Sequence, residues 1–221
     1  MAVEGLSETG GVGTRKRQLA VALRLEWLTL GWNVVEGLIA VLAALAAGSV
    51  ALLGFGADSF VESASGGVLL WRLRKETEGM APALVERLDR RAHRLVAISL
   101  FLLAAYVAVD AALSLWHGER PRASPVGIGL TLVSLFVMIW LARAKRRAAA
   151  ALGSRALEAD AFQTTACWWL SLITLTGIGM NTLLGWWWAD PAAALAMCPL
   201  LVWEGSKAWQ GEPCGCHGGD H

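Results

Sequence analysis

Apolar residues fall in six blocks along the chain, at about 21–47, 50–72, 95–116, 126–142, 157–184 and 186–209, and the stretches between them hold most of the charge. Each block is close to or above the roughly 20 residues that a helix needs to cross the hydrocarbon layer of a bilayer. The pattern predicts an all-α fold, a six-helix transmembrane bundle over residues 19–209. A Gly-, Ser-, Thr- and Glu-containing leader without an apolar run, residues 1–18, is expected to be disordered and is not a signal peptide. A short tail, residues 210–221, follows the bundle. Ala47-Gly48-Ser49 leaves room only for a tight antiparallel hairpin between the first two helices. The third and fourth blocks meet through a turn from Gly118 to Pro125. Arg74 to Arg94 reads as the longest internal loop, solvated and carrying a short helix, and Arg143 to Arg147 reads as the stop of the fourth block.

Composition agrees with this pattern: of 221 residues 56% are hydrophobic and 17% charged, and the mean hydropathy is clearly positive. A net charge of +1 gives no ground for a nucleic-acid partner. The placement of charge is more informative. Lys and Arg gather at 15–24, 72–94, 143–155 and Lys207, whereas the opposite side holds Arg120 and Arg122. The imbalance predicts cytoplasmic termini and helices that alternate in direction, in a plasma (inner) membrane, and the Trp clusters at block ends fit its interfaces. The four cysteines make no disulfide framework, since Cys167 and Cys198 lie inside apolar blocks and Cys214 and Cys216 are one residue apart.

The candidate chemistry lies where lipid tolerates it least. Asp58 and Glu62, one helical turn apart on one face, sit inside the second block. An acid at the bilayer centre costs roughly 2.5 to 3.5 kcal/mol, so a pair calls for a proton, a metal or a partner. Glu26, Asn33 and Glu36 share one stripe of the first helix, which is expected to face the interior. Glu62 lies ten residues before Arg72, and Cys167 ten after Leu157, each about 15 Å from the same boundary at the helical rise. Asp58 is one turn further out and Gln163 one turn further in. If the second and fifth helices touch, these four side chains meet near mid-membrane and can form a divalent-ion site. Desolvation and mutual repulsion favour a proton on the empty acid pair, which metal would release. A site opening alternately to each side would then exchange metal for protons.

Gly48-Ser-Val-Ala-Leu-Leu followed by Ala57-Asp58-Ser59-x-x-Glu62 resembles the second helix of the cation diffusion facilitator family. Glu158-Ala-Asp160-Ala-Phe-Gln163-Thr-Thr-Ala-Cys167 is similar to the fifth, and Trp188-Ala-Asp190-Pro191 to the start of the sixth. Gly54-Phe-Gly-Ala-Asp58-Ser-x-x-Glu62 with Leu70-Trp71-Arg72 resembles the branch that includes a zinc-binding synaptic-vesicle membrane protein. The resemblance spans residues 20–209 and implies export of zinc and related divalent ions, usually against protons. Where the family carries His and Asp on the fifth helix, this chain carries Gln163 and Cys167, and the family's cytoplasmic dimerisation domain is expected to be missing. Two carboxylates and a thiolate suit zinc, cadmium or cobalt better than magnesium or calcium. Asp160 is a substitute for the weak ligand Gln163 or a guard at the entrance, and Glu36 is a further ligand or proton carrier.

The expected function is therefore a homodimeric secondary transporter, not an enzyme, that requires no cofactor beyond the divalent metal it moves. The alternative is a metal-binding membrane sensor or assembly partner without turnover. Cys167 reads equally as a ligand or a small buried hydrophobe. Glu26 and Asp190 read as solvated or capping, Asn33 as a bridge between helices, and Asp110 as a relay or a structural bond. Glycines 54, 56, 66 and 67 read as packing positions. Cys214, Cys216, His217 and His221 in the tail have a soft-metal composition suited to metal capture, against a disordered terminus.

Overall fold

The computed structural model describes residues 5–77, 82–153 and 155–210. Over those residues it forms six helices and no strand: α1 (Gly5–Ala47), α2 (Val50–Thr77), α3 (Pro82–His117), α4 (Pro125–Leu152), α5 (Arg155–Leu184) and α6 (Ala189–Gln210). The six-helix, all-α expectation holds. The helices run further than the apolar blocks. α1 reaches back to Gly5, into the stretch expected as a leader, and α2 and α3 extend into most of the expected 74–94 loop. A polar segment attached to a formed helix adds one hydrogen bond per residue without a new nucleus, so the end of an apolar block is not the end of its helix.

Among the described residues, four stretches are apolar enough to span a membrane on composition alone: Arg17–Ala47, Arg94–His117, Pro125–Leu152 and Asp160–Leu184. α2 and α6 fall short of the expectation that all six would. α2 carries Asp58, Glu62 and a run of Gly and Ser, and α6 carries Asp190, Glu204, Lys207 and an internal Pro199. Their surroundings explain how such helices persist. α1, α2, α4 and α5 close a four-membered ring of contacts, α2 also touches α3 and α6, and α6 packs on α3 and α5. Enclosure by helices replaces lipid contact, so polar residues there cost less. The outside is the inverse: Leu42, Leu45, Leu102 and Phe136 are exposed on the bundle's outer surface while Asp58, Glu62 and Lys145 are buried.

The close packing has a visible cause at two glycines. A Cβ on Gly56 would lie 2.9 Å from Ala40 Cβ across the α1–α2 contact, and one on Gly177 would lie 2.5 Å from Ala193 Cβ across α5–α6. The packing role expected of Gly56 is met, whereas a Cβ on Gly67 would meet nothing within 4 Å. The hairpin turn at Gly48 has φ 68°, which a glycine adopts without strain. α4 does not stop at Arg143 to Arg147; it ends at Gly153, whose φ of 61° caps it in the left-handed region. Ser134, Met138, Leu141, Lys145, Ala148 and Ala149 continue one buried stripe, which carries Lys145 into the bundle, not into a loop.

The end of the bundle that holds Gly48 is fastened by Asp190. Its carboxylate accepts from Ser49 Oγ, from Val50 N at 2.9 Å and from Ala51 N at 3.4 Å. These amides are the unsatisfied donors of the first turn of α2, so α6 supplies the cap of a helix 140 residues earlier. The capping role read for Asp190 is correct, but the residue is fully buried. Arg122 N donates to Ala47 O at 2.7 Å and Asn181 Nδ2 to Pro121 O at 2.9 Å, which adds the α3–α4 turn and α5 to the same end.

Candidate functional site

Inside the α1–α2–α4–α5 ring, buried polar side chains form a column in three layers. The layer nearest the Gly48 end holds Glu36, Asp58, Ser59, Ser134 and Ser171. Ser59 Oγ donates to Glu36 Oε2 at 3.3 Å, and the Ser134 and Ser171 hydroxyls are 3.1 Å apart. Asp58 lies within electrostatic reach of Glu62 and Glu36. The middle layer holds Asn33, Glu62 and Cys167, with the amide and the thiol beside the Glu62 carboxylate. The third layer holds Glu26, Lys145 and Asp160: Lys145 Nζ donates to Glu26 Oε2 at 3.2 Å and to Asp160 Oδ2. Glu26 and Glu36 are ten residues apart on α1, which gives the column a length of about 15 Å.

The depth matching read from the sequence agrees with this arrangement. Cys167 faces Glu62, and one turn along, Ser65 Oγ donates to Gln163 Oε1 at 3.2 Å. α2 and α5 therefore pass antiparallel in the expected register. The column brings Asp58, Glu62, Cys167 and Glu36 together, whereas Gln163 and Asp160 are engaged by Ser65 and Lys145. Glu26, read as solvated or capping, is 1% exposed and paired with Lys145. Among the described residues no three His, Cys, Asp or Glu side chains converge closely enough to enclose a metal ion as they stand. Cys214, Cys216, His217 and His221 lie outside the described residues. Asp110 lies on α3 beside Tyr106, away from the α1–α2–α4–α5 column.

The column is rich in charge and short of partners. Both carboxylate oxygens of Glu62, both polar atoms of Asn33, and one oxygen each of Glu36, Glu26 and Glu204 are buried without a hydrogen bond from the protein. Buried polar atoms in folded proteins are rarely left in that state, and a carboxylate with two such oxygens is a receptor for a cation or a proton. The thiol of Cys167 is a soft donor at the same depth, free of any disulfide.

Sequence reasoning missed two members. Glu204 on α6 is 8% exposed and within electrostatic reach of Asp58 and Glu62. Its sequence neighbourhood, Glu204-Gly-Ser-Lys207, reads as a helix end. Lys145 was hidden inside Arg143 to Arg147, where it resembles any charge that stops a span. The signal that finds it is periodicity, because it falls three and four residues beyond the apolar positions Ala142 and Leu141.

Against the models of protein families, residues 27–207 match the cation efflux transmembrane domain, a stretch that includes at least part of each of the six helices. No curated protein matches the chain.

Proposed function

The chain belongs to the cation efflux family of multi-pass membrane transporters, and from that premise we propose that it exports divalent transition-metal ions, zinc first, from the cytoplasm in exchange for protons. The observation that carries the reading is Glu62, whose two buried oxygens make no hydrogen bond of full geometry, which has the thiol of Cys167 and the amide of Asn33 close to it and which lies within electrostatic reach of Asp58. Two carboxylates and a thiolate make a donor set for zinc, with cadmium or cobalt as further cargo.

Asp58 and Glu62 are the principal ligands, and Cys167 closes the site as the ion pulls the three together. Glu36, held by Ser59, and Glu204 take or release protons as the metal's charge leaves or arrives. Metal and proton compete for the same oxygens, so loading from one side and reprotonation from the other couple the two fluxes. Gln163 already serves Ser65 and contributes at most a weak contact. Asp160 guards the approach to Glu62 and is not a ligand of the central site. The charge imbalance between the two sides supports cytoplasmic termini and puts the Lys145 end of the column on the cytoplasmic side, in an inner membrane where the chain works as a homodimer.

The test is zinc flux into sealed vesicles under an imposed pH gradient, followed by an entrapped indicator. Wild type should move zinc at a rate set by the gradient, and Asp58→Asn with Glu62→Gln should cut the rate at least about a hundredfold, since removing one partner of a buried charge pair costs about 3–5 kcal/mol and about 1.4 kcal/mol is tenfold. Flux that survives the double substitution refutes the site. Zinc binding without flux in wild type would instead establish a sensor or assembly partner.

A further inference from the structure

We propose that Glu26 and Asp160 form a second divalent-cation site, at the end of the column opposite Gly48, and that the ammonium of Lys145 is its resident place-holder, displaced when a metal ion arrives. The inference rests on the transporter reading for its purpose, because such a site stages the ion one layer before Glu62. Its geometry stands independently.

Three helices contribute one side chain each. Glu26 comes from α1, Lys145 from α4 and Asp160 from α5, and the two carboxylates converge on one point, at which a positive charge already sits. Two acids aimed at a single cation are what a divalent site presents, and here the protein supplies the cation on a flexible four-carbon stem. A lysine is suited to this role and an arginine is not, since an ammonium is a compact point charge without the planar fork that locks a guanidinium to its carboxylate. Lys145 is fully buried, and Glu26 keeps a second oxygen, Oε1, buried and unpartnered. That oxygen is a coordination position the lysine does not use. Gly66 of α2 leaves the Glu26 carboxylate uncrowded: a Cβ there would be 3.9 Å from Glu26 Oε2.

The charge count explains selectivity. When both are ionised, Glu26 and Asp160 balance a divalent ion, whereas Lys145 offsets only one of their two charges, and Glu62 in the next layer is close enough to feel the lysine. A monovalent ion offers the two carboxylates no more charge than the tethered ammonium already does, so it cannot displace it. A divalent ion can. When it does, Lys145 swings out of the ring, and its return behind the departing ion expels it towards Glu62 and closes the path.

The test counts bound metal in a background where the central site is removed. In full-length protein carrying Asp58→Asn and Glu62→Gln, with Cys214→Ser, Cys216→Ser, His217→Ala and His221→Ala to silence the tail, equilibrium dialysis with zinc should show weak binding at the Glu26–Asp160 pair. Adding Lys145→Met should tighten it at least about tenfold, to one zinc per chain, and further adding Glu26→Gln with Asp160→Asn should abolish it. A folded Lys145→Met protein that gains no zinc overturns the proposal. Wild-type protein gives a second reading that needs no substitution. Lys145 should resist acetylation without metal and become several-fold more reactive in saturating zinc, as located by peptide mapping, while sodium or potassium leaves it protected. Unchanged protection in zinc overturns the proposal even if Lys145→Met does not fold. Because these are binding and labelling measurements, they can succeed in a protein that moves no zinc and can fail in one that does.

Discussion

At the scale of single residues, the column turns on which polar atoms the protein leaves unserved. Glu62 is left with two, and Cys167 is the one soft donor beside it. Cys167→Ser exchanges a thiol for a hydroxyl in nearly the same volume, so it should spare the fold and lower cadmium affinity more than zinc affinity. About tenfold for cadmium and a few-fold for zinc are expected from the softness of the two ions; competition between them for the purified protein measures the ratio. Glu204→Gln removes a carboxylate that faces Asp58 and Glu62 and should slow proton-driven flux several-fold while zinc still binds, a split that flux and dialysis together detect. The sequence made Asp58 and Glu62 legible because acids in an apolar block stand out. It hid Lys145 and Glu204, because a charge near a block's end has two interpretations and only the neighbouring helix decides between them. Glu26 went the same way: nothing within 20 residues of it names Lys145 as its partner.

At the scale of the element, α2 is the helix that cannot stand alone. Its polar face needs α1 and α5, its first turn needs Asp190 from α6, and its approach to α1 needs a hydrogen atom where Gly56 has one. Gly56→Val should push α1 and α2 apart at Ala40 and cost about 1–3 kcal/mol, the usual range for overpacking a tight contact. A drop in the thermal midpoint of the detergent-solubilised protein reports it. Asp190→Ala strips three donors at once, Ser49 Oγ and two amides, and should cost about 1–3 kcal/mol for the buried groups left unpaired. Both helices were located from the apolar pattern, and the α2–α5 register was recovered from depth alone. The lengths of α1, α2, α3 and α4 were not, because hydropathy reports where lipid ends and the backbone ladder continues past it. The cap on α2 was also out of reach, since it joins residues 140 positions apart.

At the scale of the whole molecule, the two ends of the bundle are held by different kinds of bond. The Gly48 end is fixed by neutral and singly charged hydrogen bonds among turns, whereas the Lys145 end is held by opposite charges that an arriving ion can rearrange. Opening is therefore expected at the Lys145 end first. Deleting residues 213–221 removes the cysteines and histidines of the tail and should lower the apparent affinity for zinc while the maximal flux is kept; a concentration series of the vesicle assay separates the two.

Besides its packing on α6, α5 meets two neighbours through polar residues spaced along its length. It offers Gln163 and Cys167 to α2, and Asp160 and Ser171 to α4. Every one of these meetings depends on the count of residues between them. One alanine inserted between residues 163 and 167 would turn the remainder of the helix by about 100° and move Cys167 and Ser171 off their partners while Asp160 and Gln163 stayed on theirs. The chain should thus tolerate many exchanges of one apolar residue for another along α5, yet almost no change in its length. A reading frame that keeps the helix apolar is not enough to keep it functional.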